Sequence, residues 1–380
     1  MLLNEITLRN VLSFGPDTPP LPLKPLNVLI GPNGSGKSNL IEAIDLLRSA
    51  AKHLAASVQE EGGVGDWIWK GSRTASVQAI VSITRRSTLI SHTINFMELG
   101  HGYLFIDDER IVDANPNGER FYYYENGHPV LNVCGEKRNL ERADVSFDES
   151  ILSQRKDPDQ YPEITYLAFQ YTRIRIYRDW GFGRIAVPRR PQKADQQNKR
   201  LNEDFSNLGL VLNRLRRDIE VKKNILDYLR ELYGGIQDYD VSIEGGTVQV
   251  FFHESNFAIP ATRLSDGTLR FLCLLAILCD PEPPPLICIE EPELGLHPDI
   301  LPTIVRLMKE ASQRTQLIVT THSDIIIDEL TDQPDSVIVC EKHEGKTVMS
   351  RLDPDALSKW LDRYRLGQLW TKGEIGGTRW

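Results

Sequence analysis

LNVLIGPNGSGKS, residues 26–38, holds the decision about the fold. An apolar segment that reads as a strand, Leu26 to Ile30, runs into a stretch of the form GxxxxGK[ST], and a helix follows directly. Gly31, Gly34 and Gly36 let backbone N–H groups curl around phosphate oxygens, and the start of the helix adds a favourable dipole. Lys37 is then placed to neutralise β- and γ-phosphates, and Ser38 to ligate Mg²⁺. The apolar residues beyond, Leu40, Ile44, Leu47, Ala51 and Leu54, recur at intervals of four and three, which predicts one buried helix face.

Three further segments carry chemistry. In LICIEEPELGLHP, 286–298, an apolar strand ends in adjacent carboxylates, the Walker B form. Glu290 is expected to hold the metal, directly or through water, and Glu291 to orient an attacking water as general base. LSDGT, 264–268, precedes a very apolar helix, so that Ser265 and the Gly267 backbone present donors at a helix start. The strand QLIVT leads into Thr321, His322 and Ser323, setting a histidine at the C-terminal end of a strand, where ligands bind in open α/β sheets.

The order of these motifs resembles the ATPase heads of the ABC superfamily, especially SMC, RecF and OLD-type heads, over about 1–55 and 240–345. EPELGLHP is similar to the D-loop region of bacterial RecF-like and OLD-like predicted ATPases. The resemblance implies an α/β P-loop NTPase of ABC-ATPase type, with a mostly parallel core sheet, an antiparallel β meander and an inserted helical lobe. It implies ATP and Mg²⁺ as ligands, and two copies facing each other around two ATP molecules. The nucleotide-binding set is then Asn33, Gly34, Ser35, Gly36, Lys37, Ser38 and Asn39, with Ser265 and Gly267 reaching the γ-phosphate held by the opposite subunit. Lys37, Glu291 and His322, the last as switch histidine, form the catalytic set; Ser38, Glu290 and Gln154 form the metal set, with Gln170 as the alternative glutamine. Two positions depart from the family pattern. LSDGT stands where transporters have LSGGQ, so Asp266 must point away from the phosphates, and Glu290 replaces the usual Asp.

Around these motifs, short alternating segments between Val77 and Cys134, punctuated by Asn117-Gly118 and Asn126-Gly127, predict an antiparallel meander. Residues 201–233 return to helical spacing and stop at Gly234-Gly235, and a hairpin is expected around Gly245-Gly246. The expected division is a split ATPase core, 1–60 and 240–380, a β subdomain, 61–150, and a helical and basic lobe, 151–239. The insertion is too short and lacks the heptads for long SMC arms. The chain ends soon after its last core strands, so the nuclease domain of OLD proteins is expected to be absent.

Composition narrows the class. The 380 residues carry a net charge of -9, and no apolar run approaches membrane-spanning length, so a cytoplasmic protein is expected. The N-terminus lacks the pattern of a secretion signal. Five cysteines without CxxC spacing, mostly within apolar runs, predict buried thiols and no zinc. Against the acidic average, 173–200 has nine basic residues and two acidic ones, mixed with aromatics in YRDW. It is open to three readings: a nucleic-acid contact, a solvated loop, or arginines that reach ATP across a dimer. Two functions remain. One is an ATPase whose ATP-bound dimer acts on or senses DNA in genome maintenance or anti-phage defence. The other is a slow nucleotide-dependent scaffold for a separately encoded effector.

Overall fold

The computed structural model describes residues 1–377 apart from 84–87, 101, 116 and 142–143. Two units emerge. The first joins Met1–Ile174 to Ile338–Leu352 and Ile375–Trp380, and the second joins Arg175–Val337 to Asp353–Glu374. These units cut across the three segments expected from sequence. The reason is pairing: the N-terminal strand Leu3–Arg9 lies antiparallel to Thr74–Ile83, which ties the first residues to the meander.

The first unit is dominated by an eight-stranded antiparallel sheet that extends the expected meander at both ends, from Leu21–Pro22 and Leu3–Arg9 to Glu136–Asn139. It includes a long strand, Tyr103–Asp113, that the alternation had not revealed. Asn126 and Gly127 both have positive φ, 54° and 78°, the conformation a two-residue hairpin turn needs between Arg120–Glu125 and His128–Val133. The phosphate-loop strand Leu26–Ile30 is buried throughout. Its helix runs only from Lys37 to Ala50, and Leu54 opens a second helix, Leu54–Glu60. Leu40, Ile44, Leu47, Ala51 and Leu54 are nevertheless all buried, as the spacing predicted. The hairpin Val337–His343 with Lys346–Arg351 returns to this unit from far down the chain.

In the second unit three parallel strands, Arg175–Tyr177, Leu286–Glu290 and Gln316–Thr320, pair in that order, with Glu290 opposite Thr320. Helix Asp266–Leu278 buries ten of its residues and packs against Leu208–Leu215, Ile219–Leu232 and Leu301–Ser312. Burial of its leucines and of Ile277 helps to hold the unit together, at ~1.5–3 kcal/mol for each fully buried one. The expected helical stretch 201–233 is two helices, because Asp218 caps a new start at Ile219. Beside them Ile236–Glu244 and Thr247–Glu254 form the hairpin expected at Gly245-Gly246.

Candidate nucleotide site

In the first unit the loop 31–36 takes its shape from glycines in left-handed or related conformations. Gly31, Gly34 and Gly36 have φ of 147°, 77° and 99°. A Cβ at Gly31 would come within 2.2 Å of the Cys340 carbonyl oxygen, and one at Gly36 within 2.2 Å of Thr347 Oγ1, whereas one at Gly34 would meet nothing within 4 Å. The loop is thus clamped by the returning hairpin and open at Gly34. A hydrogen-bond relay makes the clamp: Asn39 Nδ2 donates to Ser13 Oγ at 2.6 Å, Ser13 and Thr347 hydroxyls meet at 2.6 Å, and Thr347 Oγ1 donates to the Ser35 carbonyl at 2.9 Å.

Lys37 is 6% exposed, and its Nζ donates to the carbonyls of Gly31 at 2.8 Å and Pro32 at 3.1 Å. Ser35 Oγ is buried with no hydrogen-bond partner, and Gly36 caps the helix without a side chain. A buried ammonium, an orphaned hydroxyl and uncapped helix amides around a Cβ-free loop fit a chain of phosphates. Asn33, Gly34 and Ser38 are exposed, while Asn39 acts on the loop through the relay.

Gln154 is placed differently from the metal role expected of it. Its Oε1 accepts from Ser146 N at 2.8 Å, and its Nε2 donates to the carbonyls of Ser146 and Glu149 at 3.1 and 2.8 Å. Both ends of the amide therefore hold its own loop, and a metal contact would require that loop to be remade. Gln170, the alternative, is buried in helix Pro162–Thr172.

The acidic cluster belongs to the second unit. Glu291 has φ of 46°, a left-handed turn at the end of the strand, and its N–H donates to the Thr320 carbonyl at 3.0 Å. That turn leaves the Glu291 carboxylate 3.6 Å from His322 Nε2, both about a third exposed, so the expected base and switch histidine do meet. Glu290 accepts at its carbonyl from Trp180 Nε1 at 2.6 Å, and its carboxylate lies 3.9 Å from Arg178 Nε. Among the described residues no group of three or more His, Cys, Asp or Glu is arranged to hold a metal.

Ser265 caps the signature helix, its Oγ accepting from Thr268 N at 3.0 Å. Gly267 packs so closely that a Cβ there would sit 3.0 Å from the Gly295 carbonyl of EPELGLHP. Asp266 pairs with Arg189, whose guanidinium also donates to the carbonyls of Gly183, Thr262 and Leu264. Sequence reasoning had placed Arg189 only in a basic stretch; its opposite number, an unexplained Asp in the signature, was the available signal.

The same stretch bears on one part of the nucleic-acid reading, the stacking of bases on its aromatics. Tyr177 and Trp180 are 2% and 9% exposed and both stack with Phe205, Trp180 stacks with Phe182 as well, and Arg270 lies 5.1 Å above the Trp180 ring. The aromatics of YRDW are thus packed inside the unit and do not present faces for base stacking. Two acidic and aromatic supports were also missed: Trp180, which holds Glu290, and Glu293, whose carboxylate reaches the backbone of His322.

A family model described as "AAA domain, putative AbiEii toxin, Type IV TA system" matches residues 26–85 and 183–328. The chain is 26% identical over 373 residues to the OLD nuclease of Thermus scotoductus, covering 91% of this chain and 64% of that protein's length. Two solved SMC heads have the same fold. One, bound to the C-terminal winged-helix domain of ScpA, has a TM-score of 0.58 at 16% identity and covers 94% of this chain and 99% of its own. The other, from Pyrococcus furiosus with an extended coiled coil and the C-terminal domain of ScpA, has 0.55 at 15%, covering 95% and 99%. The match over more than half of its residues makes this chain a member of the family of AAA domains described as putative AbiEii toxin, Type IV TA system, with an α/β P-loop fold shared with SMC heads.

Proposed function

We propose that this protein is a Mg²⁺-dependent ATPase that dimerises head to head around ATP and acts on or senses DNA, in genome maintenance or in defence against phage. The observation that carries the hydrolytic reading is the approach of the Glu291 carboxylate to His322, imposed by the left-handed turn at residue 291. Lys37 and the amides of the loop bind the triphosphate; Glu291 takes the proton of an attacking water, and His322 orients that carboxylate and the terminal phosphate. Mg²⁺, when bound, supplies charge neutralisation at the phosphates, with Ser38 and Glu290 as its holders. Ser265 and the Gly267 backbone serve the nucleotide of the facing copy. Dimerisation and DNA contact have the support of the likeness to SMC heads and to a nuclease.

The test is ATP turnover with and without DNA, alongside solution mass, for the unaltered protein, Lys37→Ala and Glu291→Gln. Lys37→Ala is expected to lose ATP binding, and Glu291→Gln to lose turnover by about a hundredfold or more while retaining an ATP-bound dimer. Binding unchanged by Lys37→Ala would refute the assignment of the site. Turnover indifferent to DNA, with no shift on a DNA-binding gel, would refute the DNA-directed part alone.

A second reading keeps the nucleotide site but makes turnover slow, the protein acting as a scaffold that holds or releases a separately encoded effector. Glu291→Gln separates the two, because a scaffold with negligible turnover loses little by it.

A further inference from the structure

Glu293 is a third carboxylate in EEPEL, and the mechanism above does not use it. Its environment is unlike that of the twin glutamates. One oxygen, Oε1, accepts from the Thr321 hydroxyl at 2.7 Å and from the His322 N–H at 2.8 Å. The other, Oε2, is buried with no hydrogen-bond partner. Burial raises its pKa above the usual carboxylate value, the bonds from His322 and Thr321 pull the other way, and the nearby Glu291 charge adds to the rise. Its charged neighbours include Glu291 and Arg270, whose Nη1 is likewise buried without a partner, and the His322 imidazole lies beside Glu291. An acid kept in such surroundings costs stability unless its two accepted bonds accomplish something.

What they accomplish is a connection. Thr321 and His322 follow the strand Gln316–Thr320, and Glu291 to Gly295 follow the strand Leu286–Glu290, so Glu293 ties the ends of adjacent parallel strands to each other. The tie is made to the backbone of the very residue whose imidazole meets Glu291. Two residues further, the Gly295 carbonyl lies against signature Gly267. The segment 291–295 therefore carries the base and reaches the switch histidine and the signature at once, and the Glu293 carboxylate bonds it to the backbone of the switch.

We propose that Glu293 is a positioning residue: by accepting from Thr321 and His322 it fixes the switch backbone so that the imidazole stays beside Glu291. The inference rests on the reading of Glu291 and His322 as the pair that acts on ATP. It requires an acceptor at residue 293 and not a charge, because both donors converge on one oxygen. An amide can supply that oxygen and a methyl group cannot.

The experiment compares Glu293→Gln, Glu293→Ala and Thr321→Val, measuring kcat, KM, nucleotide Kd and Tm for each in the full chain. Glu293→Ala is expected to lower kcat on the order of tenfold to a hundredfold, with nucleotide Kd within about twofold, since a small displacement of a reacting group costs rate more than affinity. Glu293→Gln should restore most of the rate at an unchanged Tm, and Thr321→Val should fall in between. If Glu293→Ala fails to fold, the other two decide: full loss of rate in a Glu293→Gln protein of normal Tm overturns the proposal, as does an unaltered rate in both. Failure of the underlying reading looks different. Then Glu291→Gln itself would leave turnover unchanged, whereas a dead Glu291→Gln beside a fully active Glu293→Ala overturns the positioning role alone.

Discussion

The guanidinium of Arg189 donates to the carboxylate of Asp266, an acidic residue at the start of the signature helix, across 77 residues of sequence. Arg189 is mostly buried and anchored by three backbone carbonyls, whereas the Asp266 side chain is about half exposed, 12% against 52%. The pair resolves the departure of LSDGT from the transporter pattern. A negative charge at a helix start would compete with phosphate for the same amides, and a fixed cation beside it cancels that repulsion.

Removing the cation should therefore harm the proposed ATP-linked dimer more than the fold. Arg189→Ala is expected to weaken ATP-dependent dimerisation by about fivefold, the value of a partly exposed ion pair near 1 kcal/mol. The double variant Arg189→Ala with Asp266→Gly should recover it, since the uncompensated charge is gone. Sedimentation or light scattering with ATP reads both, and a double variant no better than the single one would count against charge compensation.

The clamp on the phosphate loop predicts a contrast between two glycines. Gly36 and Gly34 both have positive φ, 99° and 77°, but only at Gly36 would a Cβ strike Thr347. Gly34→Ala should cost ~1–2 kcal/mol from backbone strain alone. Gly36→Ala adds an overlap with the relay through Ser13 and should cost clearly more, with a larger fall in Tm and in ATP affinity. Equal effects at the two positions would mean that the relay does not hold the loop.

Thiol chemistry offers a third check. Cys134 is exposed, while Cys273, Cys288 and Cys340 are buried. Burial pushes the thiols of Cys340 and Cys279 up to about 12 and raises Cys273 as well. A thiol-reactive dye at pH 8 should label Cys134 first, and Cys134→Ser should remove the fast phase. Because these folded-state values lie above the ordinary 9.0, the neutral thiols favour the fold below pH 9, and that contribution is lost as pH rises from 9 toward 12. Tm should accordingly decline through that alkaline window; no decline would contradict the burial.

Legibility in the sequence followed the range of the interaction. GPNGSGKS reads as a turn because its glycines occupy backbone conformations that other residues resist, and a strand and a helix at its flanks complete the local pattern. The meeting of Glu291 with His322 was also within reach, since strand ends in such sheets gather their ligand-facing residues. The partners of that pair were not. Whether Trp180 is a stacking surface for bases or a buried support of Glu290 depends on burial, and composition counts aromatics without locating them. Gln154 read as a metal ligand because spacing alone cannot show that its amide is spent on residues 146 and 149. The second helix start at Leu54 escaped notice because the apolar periodicity continues across the break.

The bond from Thr347 to the Ser35 carbonyl spans 312 residues, and it bears on how the protein is born. At a synthesis rate of about 5–20 residues per second, roughly 15 to 60 seconds pass between the two on the ribosome. During that interval the nascent loop lacks the hairpin that latches it, so nucleotide cannot help the N-terminal half to fold early. Competence to hold nucleotide arrives only once residue 347 has been made.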